Sequence, residues 1–295
     1  MTATAGVLPL AAHRRRGFAS RVRKLFGLVP FAILLVAVLV AIFAPELVPA
    51  DPNKVGSAAP LVGPSAAHWL GTDSLGRDEF SRLLMGTRIS VGTAVAVTVL
   101  CMLIGVPLGL LGGYLRGAVD FTLGRLADLI LSFPGILLAL VLSTVLTPSA
   151  RTVIIALTVI YIPTAYRFVR GAVLAEMTRG YVQGARAAGA GPIRLMVRHV
   201  LPNISSPVLV LASSVAAFSV LAEAALSFLG FGAQPPLASW GKLLSDSTTL
   251  FSIAPLLVLA PGLAIGLVVV CLNLVGDRMR DRLDPRLRSG TRVGV

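Results

Sequence analysis

Charge is scarce in this 295-residue chain: 13% of its residues are charged and only 13 are acidic, against about 25% charged for a soluble domain. Cysteine is scarcer still. Cys101 and Cys271 both lie inside apolar runs, which excludes a disulfide framework and leaves two small core hydrophobes. The three histidines, His13, His68 and His199, stand far apart with no Cys or His companions, so no metal site is expected. A phosphate-binding Gly-x-x-x-x-Gly-Lys-[Ser/Thr] loop is also missing. Lys242 follows Gly241, but Leu243 and Leu244 come next; the chain is expected to bind no ATP and no other cofactor. Neither a nucleophile elbow nor a zinc-binding His pair is present. Only Asp128 and Glu223 fall in or at the edge of an apolar run, and they fall in different ones, which gives an intramembrane enzyme little to work with.

What the chain has in quantity is apolar length. Hydrophobic residues make up 56%, and the mean hydropathy is +0.87. Uncharged runs cover 25–45, 89–115, 129–150 (with Pro134 inside), 152–166, 207–229 (interrupted by Glu223) and 252–276 (with Pro255 and Pro261). The fourth is short for a bilayer, which needs about 20 residues; it reaches Val173 if Arg167 and Arg170 snorkel. Only closed hydrogen-bonding structures cross lipid, and the runs lack the strict alternation of barrel strands. The fold class is therefore all-α integral membrane with six transmembrane helices. The expected organisation is a basic tail at 1–27, a first helix with its following loop at 28–87, a five-helix core at 88–276 and a second basic tail at 277–295.

The net charge of +13 does not point to nucleic acid, because the basic residues flank apolar runs instead of covering one face, without interleaved aromatics. Their distribution orients the chain instead. Twenty of the 26 lysines and arginines fall in 1–27, 113–128, 167–206 and 277–295, so the positive-inside rule puts these segments and both termini in the cytoplasm and the 46–87 loop outside. The basic start followed by an apolar run is read as an uncleaved first span, since Pro45 follows the best cleavage position, Ala44.

One polar stretch in the second half is organised differently from an ordinary loop. Residues 179–203 read as two short helices with a bend. Gly189, Ala190 and Gly191 interrupt the first, Pro192 opens the second, and Pro202 ends it near Leu201. Bent, basic and cytoplasmic, it suggests a docking surface. Within the spans, Glu223 is the sharper ionisable candidate, because burial is costly. It lies among small residues that permit close helix contact, either as a pathway carboxylate or as a structural one. Asp128 is read as structural, near the cytoplasmic surface with Arg125 in reach. The Asp73-Ser74 pair of the long loop offers turn and cap chemistry.

Three stretches together resemble the permease subunits of ABC importers, specifically the C-type subunit of the dipeptide/oligopeptide/nickel family. The first is Gln183-Gly184-Ala185, then Gly189, then His199-Val200-Leu201-Pro202, with the spacing of the cytoplasmic coupling loop. The second is Leu70 to Asp78, including Gly71, Thr72, Asp73, Gly76, Arg77 and Asp78. The third runs from Leu226-Ser227-Phe228 to Ser239-Trp240-Gly241. The resemblance covers about residues 28–285. It departs at Gln183-Gly184, where the family usually has Glu-Ala. It implies a type I importer permease fold and a homologous B-type permease partner. It also implies two ATPase subunits that use ATP and magnesium and receive the coupling loop, and an extracytoplasmic binding protein that delivers peptides, nickel or another small solute. The competing reading of the residues is a stand-alone secondary transporter. That would call for midplane ion-coupling residues in matching broken helices, and Glu223 alone qualifies.

Overall fold

The computed structural model describes residues 12–283, with side chains from Leu28 to Asp281; most of the two expected basic tails lies outside the described side chains. The described chain is all helical. Helix α1 (Ala12–Leu47) is followed by a folded connection, then α2 (Glu79–Leu115), α3 (Gly117–Leu131), α4 (Gly135–Val145) and α5 (Ala150–Glu176). The polar elbow holds α6 (Gly180–Ala187) and α7 (Pro192–Arg194). A π-turn (Leu195–Val200) leads into α8 (Leu201–Phe228), and α9 (Trp240–Ser247) and α10 (Leu256–Leu283) complete the chain. Among the described residues, five helical segments are long and apolar enough to cross a membrane: Leu28–Leu47, Glu79–Leu115, Ala150–Glu176, Pro192–Phe228 and Leu256–Asp281.

The sixth expected span differs. The run 129–150 is not one helix. It is shared between α3 and α4, which meet at 86°. Pro134 has no N–H to give and disfavours helix in the residue before it, so α3 stops at Leu131 and Pro134 N-caps α4. Helix α3 also begins well inside the segment expected to be a loop, because its charges are paired within the fold. The second span differs at its start. Helix α2 begins at Glu79, ten residues before Ile89, so the expected domain edge at 87/88 cuts through it. At 37 residues it is about 55 Å long, well beyond the 30 Å of hydrocarbon, and its first turns carry the buried Glu79 and Arg82.

The bundle is built on α2. Gly105, Gly109 and Gly113 form one stripe four residues apart. A Cβ on them would stand 2.6 Å from the Ala165 Cβ, 2.6 Å from the Val169 Cβ and 2.8 Å from the Val173 Cβ, so the stripe lets α5 lie directly against the α2 backbone. At the other end of α2, Val91 and Ala94 pack with Ala41 of α1, Val220 of α8 and Val268 of α10. Helix α4 joins α5 through Ala139, Val153, Ala156 and Leu157.

Candidate functional site

The elbow is a rigid mount. Val182 of α6, Leu195 and Met196 of the π-turn, and Val200 and Ile204 on the way into α8 form one buried apolar cluster with Val169, Val173 and Met177 of α5 and Leu110 of α2. The bend falls where glycine is required. Gly189 has φ +83°, its N–H donates to the Arg186 carbonyl, and the Ala190 N–H donates to the Ala185 carbonyl. This is the left-handed C-terminal cap that ends a helix. Leu201 and Pro202 are placed differently from expectation. They are not an exit: the chain from Pro192 to Phe228 is one continuous helix. Pro202 would clash with the carbonyl four residues back and offers it no N–H. The π-turn absorbs this by widening the helix, and the Leu201 N–H donates to the Met196 carbonyl five residues back.

Gln183 is exposed but folds back on its own chain: its side-chain amide donates to the Met177 carbonyl at 2.8 Å, closing the junction of α5 and α6. A carboxylate there would have no hydrogen to give. Gly184 has open space around it, and Ala185 contributes its carbonyl to the cap. The Tyr181 hydroxyl donates to Glu176; partial desolvation, then that hydrogen bond, push its pKa up to about 12, so it stays a donor. Away from the cluster, the elbow exposes apolar residues. Ile193 is 74% exposed, Val197 56% and Tyr181 45%.

The six residues of the 71–78 motif come together in one knot. Asp73 accepts from the Leu75 N–H (2.8 Å), the Arg77 N–H (2.9 Å) and the Arg77 Nε (2.6 Å). The Thr72 hydroxyl donates to the Ala59 carbonyl and accepts from the Val62 N–H. Asp78 caps α2, accepting from the Ser81 N–H at 2.8 Å, and meets the His68 Nδ1 at 2.8 Å. Gly71 and Gly76 have φ of +83° and +69°, and a Cβ on them would stand 2.4 and 2.2 Å from the carbonyl oxygens of Val62 and Ala58. Two buried ionisable side chains beneath the knot escape a reading by hydropathy. Arg82 reaches Asp73 (3.6 Å) and Asp246 (4.0 Å), and Glu79 is buried beside it.

Glu223 is enclosed, 1% exposed. The Ser227 hydroxyl donates to its Oε1 at 2.6 Å, and Ser90 and Ser239 stand beside it. The third motif builds this enclosure. Ser239 caps α9. The Trp240 N–H donates to the Ser90 hydroxyl and its indole N–H to the Leu83 carbonyl. A Cβ on Gly232 would collide with the Ser227 side chain. Asp128 pairs with Arg167 and, at 3.5 Å, with Arg125. The elbow, the knot and the Glu223 enclosure are therefore three separate places.

The protein-family comparison matches residues 105–289 to the binding-protein-dependent transport system inner membrane component. The glutathione transport system permease protein GsiD of Pectobacterium atrosepticum is 42% identical over 260 residues, covering 88% of this chain and 86% of that protein. The dipeptide transport system permease protein DppC of Alkalihalophilus pseudofirmus is 38% identical over 275 residues, covering 93% and 90%. Among solved structures, an inward-facing MetNI methionine ABC transporter chain aligns with a TM-score of 0.57 at 19% identity, covering 68% of this chain and 94% of that one; it is similar in fold. The chain therefore belongs to the family of binding-protein-dependent transport system inner membrane components, the multi-pass permeases of ABC importers.

Proposed function

We propose that this chain is the C-type permease subunit of an ATP-driven peptide importer, forming half of the translocation pathway beside a homologous B-type subunit. Both termini and the 179–203 elbow face the cytoplasm, and the 71–78 knot faces outside, toward a solute-binding protein. Two ATPase subunits carry the ATP and magnesium; one receives this elbow and the other that of the partner permease. One observation carries the reading: a bent element anchored on α5, α2 and α8 by its buried face while its other face leaves Ile193, Val197 and Tyr181 exposed. An apolar helix face of this kind fits a groove on another protein, and its rigid mounting passes a push on to the spans. Peptide is the favoured substrate class because the relatives named above carry dipeptides and glutathione, itself a small peptide.

The test is reconstitution. The tagged chain, purified from its native membrane with its bound partners, is placed in proteoliposomes with the binding protein on the outside. Labelled dipeptide and glutathione uptake is expected to require ATP inside and the binding protein. Uptake by the chain alone, driven by an ion gradient, would overturn the reading, and uptake of nickel instead of peptide would overturn the substrate class.

Glu223 is assigned a structural role, because its own chain encloses it and the Ser227 hydroxyl donates to its Oε1, while Oε2 is buried without a hydrogen-bond partner among the described residues. Glu223→Gln keeps the acceptor for Ser227, so uptake is expected to stay within about twofold. Glu223→Leu strands the Ser227 hydroxyl and is expected to lower stability by about 1–3 kcal/mol, read as a lower Tm of the complex. A much larger loss of uptake in an intact Glu223→Gln complex would assign the carboxylate to the pathway.

A further inference from the structure

Helix α3 is attached to the bundle in an unusual way. Its only buried residue is Ala127, and none of its residues belongs to the apolar clusters of the described chain. Its large apolar side chains Phe121, Leu126 and Leu129 are 64%, 54% and 60% exposed. Polar groups hold it. Asp120 receives Arg170 of α5 through both carboxylate oxygens, Nη2 to Oδ2 at 2.6 Å and Nε to Oδ1. The Tyr166 hydroxyl adds a third bond at 2.9 Å to Oδ1. Two turns along, Asp128 pairs with Arg167. Gly112 of α2 makes room for this arrangement, since a Cβ there would lie 2.9 Å from the Tyr166 ring and 3.3 Å from Asp120 Oδ1. These side chains line an open groove of about 490 Å³.

The partners of α3 sit on the part of α5 that the elbow grips. Val169 and Val173 of α5 belong to the elbow's apolar cluster, and Tyr166, Arg167 and Arg170 interleave with them on the same turns. Helix α4, beyond the break, rides on the other half of α5 by apolar packing. Thus α5 carries both arms of the bent pair, one by apolar packing and one mainly through polar pairs, with the joint at Ser132–Pro134 between them. A two-segment element with a joint is the kind of structure a stroke can flex.

We propose that Asp120 and Asp128, with Arg170, Arg167 and Tyr166, form a polar latch that makes α3 move with α5 and the elbow, carrying the stroke delivered at 179–203 to the bent α3–α4 pair. The proposal rests on the transport function proposed above. A bidentate arginine–carboxylate pair suits the task, because it fixes orientation as well as distance. Without it the elbow, α5 and α2 still form one packed unit, so ATPase docking stays intact while α3 lags.

The test uses the reconstituted complex and measures uptake and ATP hydrolysis together. Asp120→Arg places like charges face to face and releases the latch. Uptake is expected to fall about tenfold while hydrolysis stays within about twofold, the size of effect a broken coupling contact produces. Adding Arg170→Asp to the same chain restores an opposite pair and is expected to return at least about half of the uptake, a rescue that loss of packing would not show. Full uptake in the assembled Asp120→Arg complex overturns the proposal, as does hydrolysis falling in step with uptake or a swap that restores nothing. If the single variant fails to assemble, the swapped chain decides; if neither assembles, the pairs serve assembly and the latch is rejected. A wild-type complex that takes up peptide without ATP would instead reject the transport reading itself.

Discussion

Valine in place of Gly189 is expected to abolish most ATP-driven uptake, a fall of about tenfold or more, while the chain still accumulates in the membrane. Space is not the reason, for nothing lies within 4 Å of a Cβ built there. The backbone is the reason: φ is +83°, a region that costs an L-residue about 1–2 kcal/mol and a β-branched one more. The chain escapes that cost by leaving the left-handed cap, which releases the bonds from the Gly189 and Ala190 N–H groups and changes the angle between α6 and the helix that starts at Pro192. A change of 1.4 kcal/mol already shifts a two-state population about tenfold, and a docking element needs its geometry. Gly189→Asn supplies the contrast, since asparagine tolerates the left-handed region, and is expected to keep most uptake. Uptake in proteoliposomes and co-purification of the ATPase check both. Wild-type values for the valine variant would show that the bend is not needed for docking.

This test is narrower than deleting the elbow, which the sequence invites because 179–203 reads as an interruption between spans. The fold makes such a deletion uninformative. Leu195, Met196 and Val200 are buried and belong to the cluster that joins α8 to α5, so removing the elbow would also remove packing that holds two spans together.

The legible parts of the chain were those governed by one dominant physical rule. Long uncharged runs became spans because lipid leaves the backbone no other partner. The Gly189 bend was visible because glycine marks the left-handed position of a helix cap. The parts that differ are those where a second interaction outweighs the local rule. Asp120, Arg125 and Asp128 made α3 read as a loop, yet two of them answer arginines fifty and thirty-nine residues away on α5. Arg82 and Glu79 set the start of α2 apart from the apolar run at 89–115, but both are buried under the 71–78 knot and the helix runs through them. Pro202 looked like a terminus, and a π-turn carried the helix past it. The glycine stripe on α2 was in plain view at 105, 109 and 113. Its meaning lies in the neighbour it admits, and only the packing of α5 names that neighbour. Gln183 stands where the family usually has a carboxylate, and its amide is occupied within its own chain.

The second large effect is expected at Gly241, where valine should prevent stable folding of the chain. A Cβ at this position would lie 2.2 Å from the Ala224 carbonyl oxygen, 2.7 Å from its Cα and 2.8 Å from its carbonyl carbon. All three are backbone atoms of α8, so no side-chain rotation relieves the clash and α9 must move away. That movement draws Trp240 from a site where it is 2% exposed, breaks its bonds to Ser90 and Leu83 and uncovers Glu223. Overpacking, the lost burial of an indole and the stranded hydrogen-bonding groups together amount to about 3–5 kcal/mol, a large share of the 5–15 kcal/mol typical of a folded protein. Gly241→Val is therefore expected to give little monodisperse protein on size exclusion in detergent, with a strongly lowered Tm for what remains. Glu223→Leu, which leaves α9 seated, is expected to lose much less. A Gly241→Val chain as abundant and as stable as wild type would mean that α9 does not bear on α8, and the structural role of Glu223 would lose its enclosure along with it.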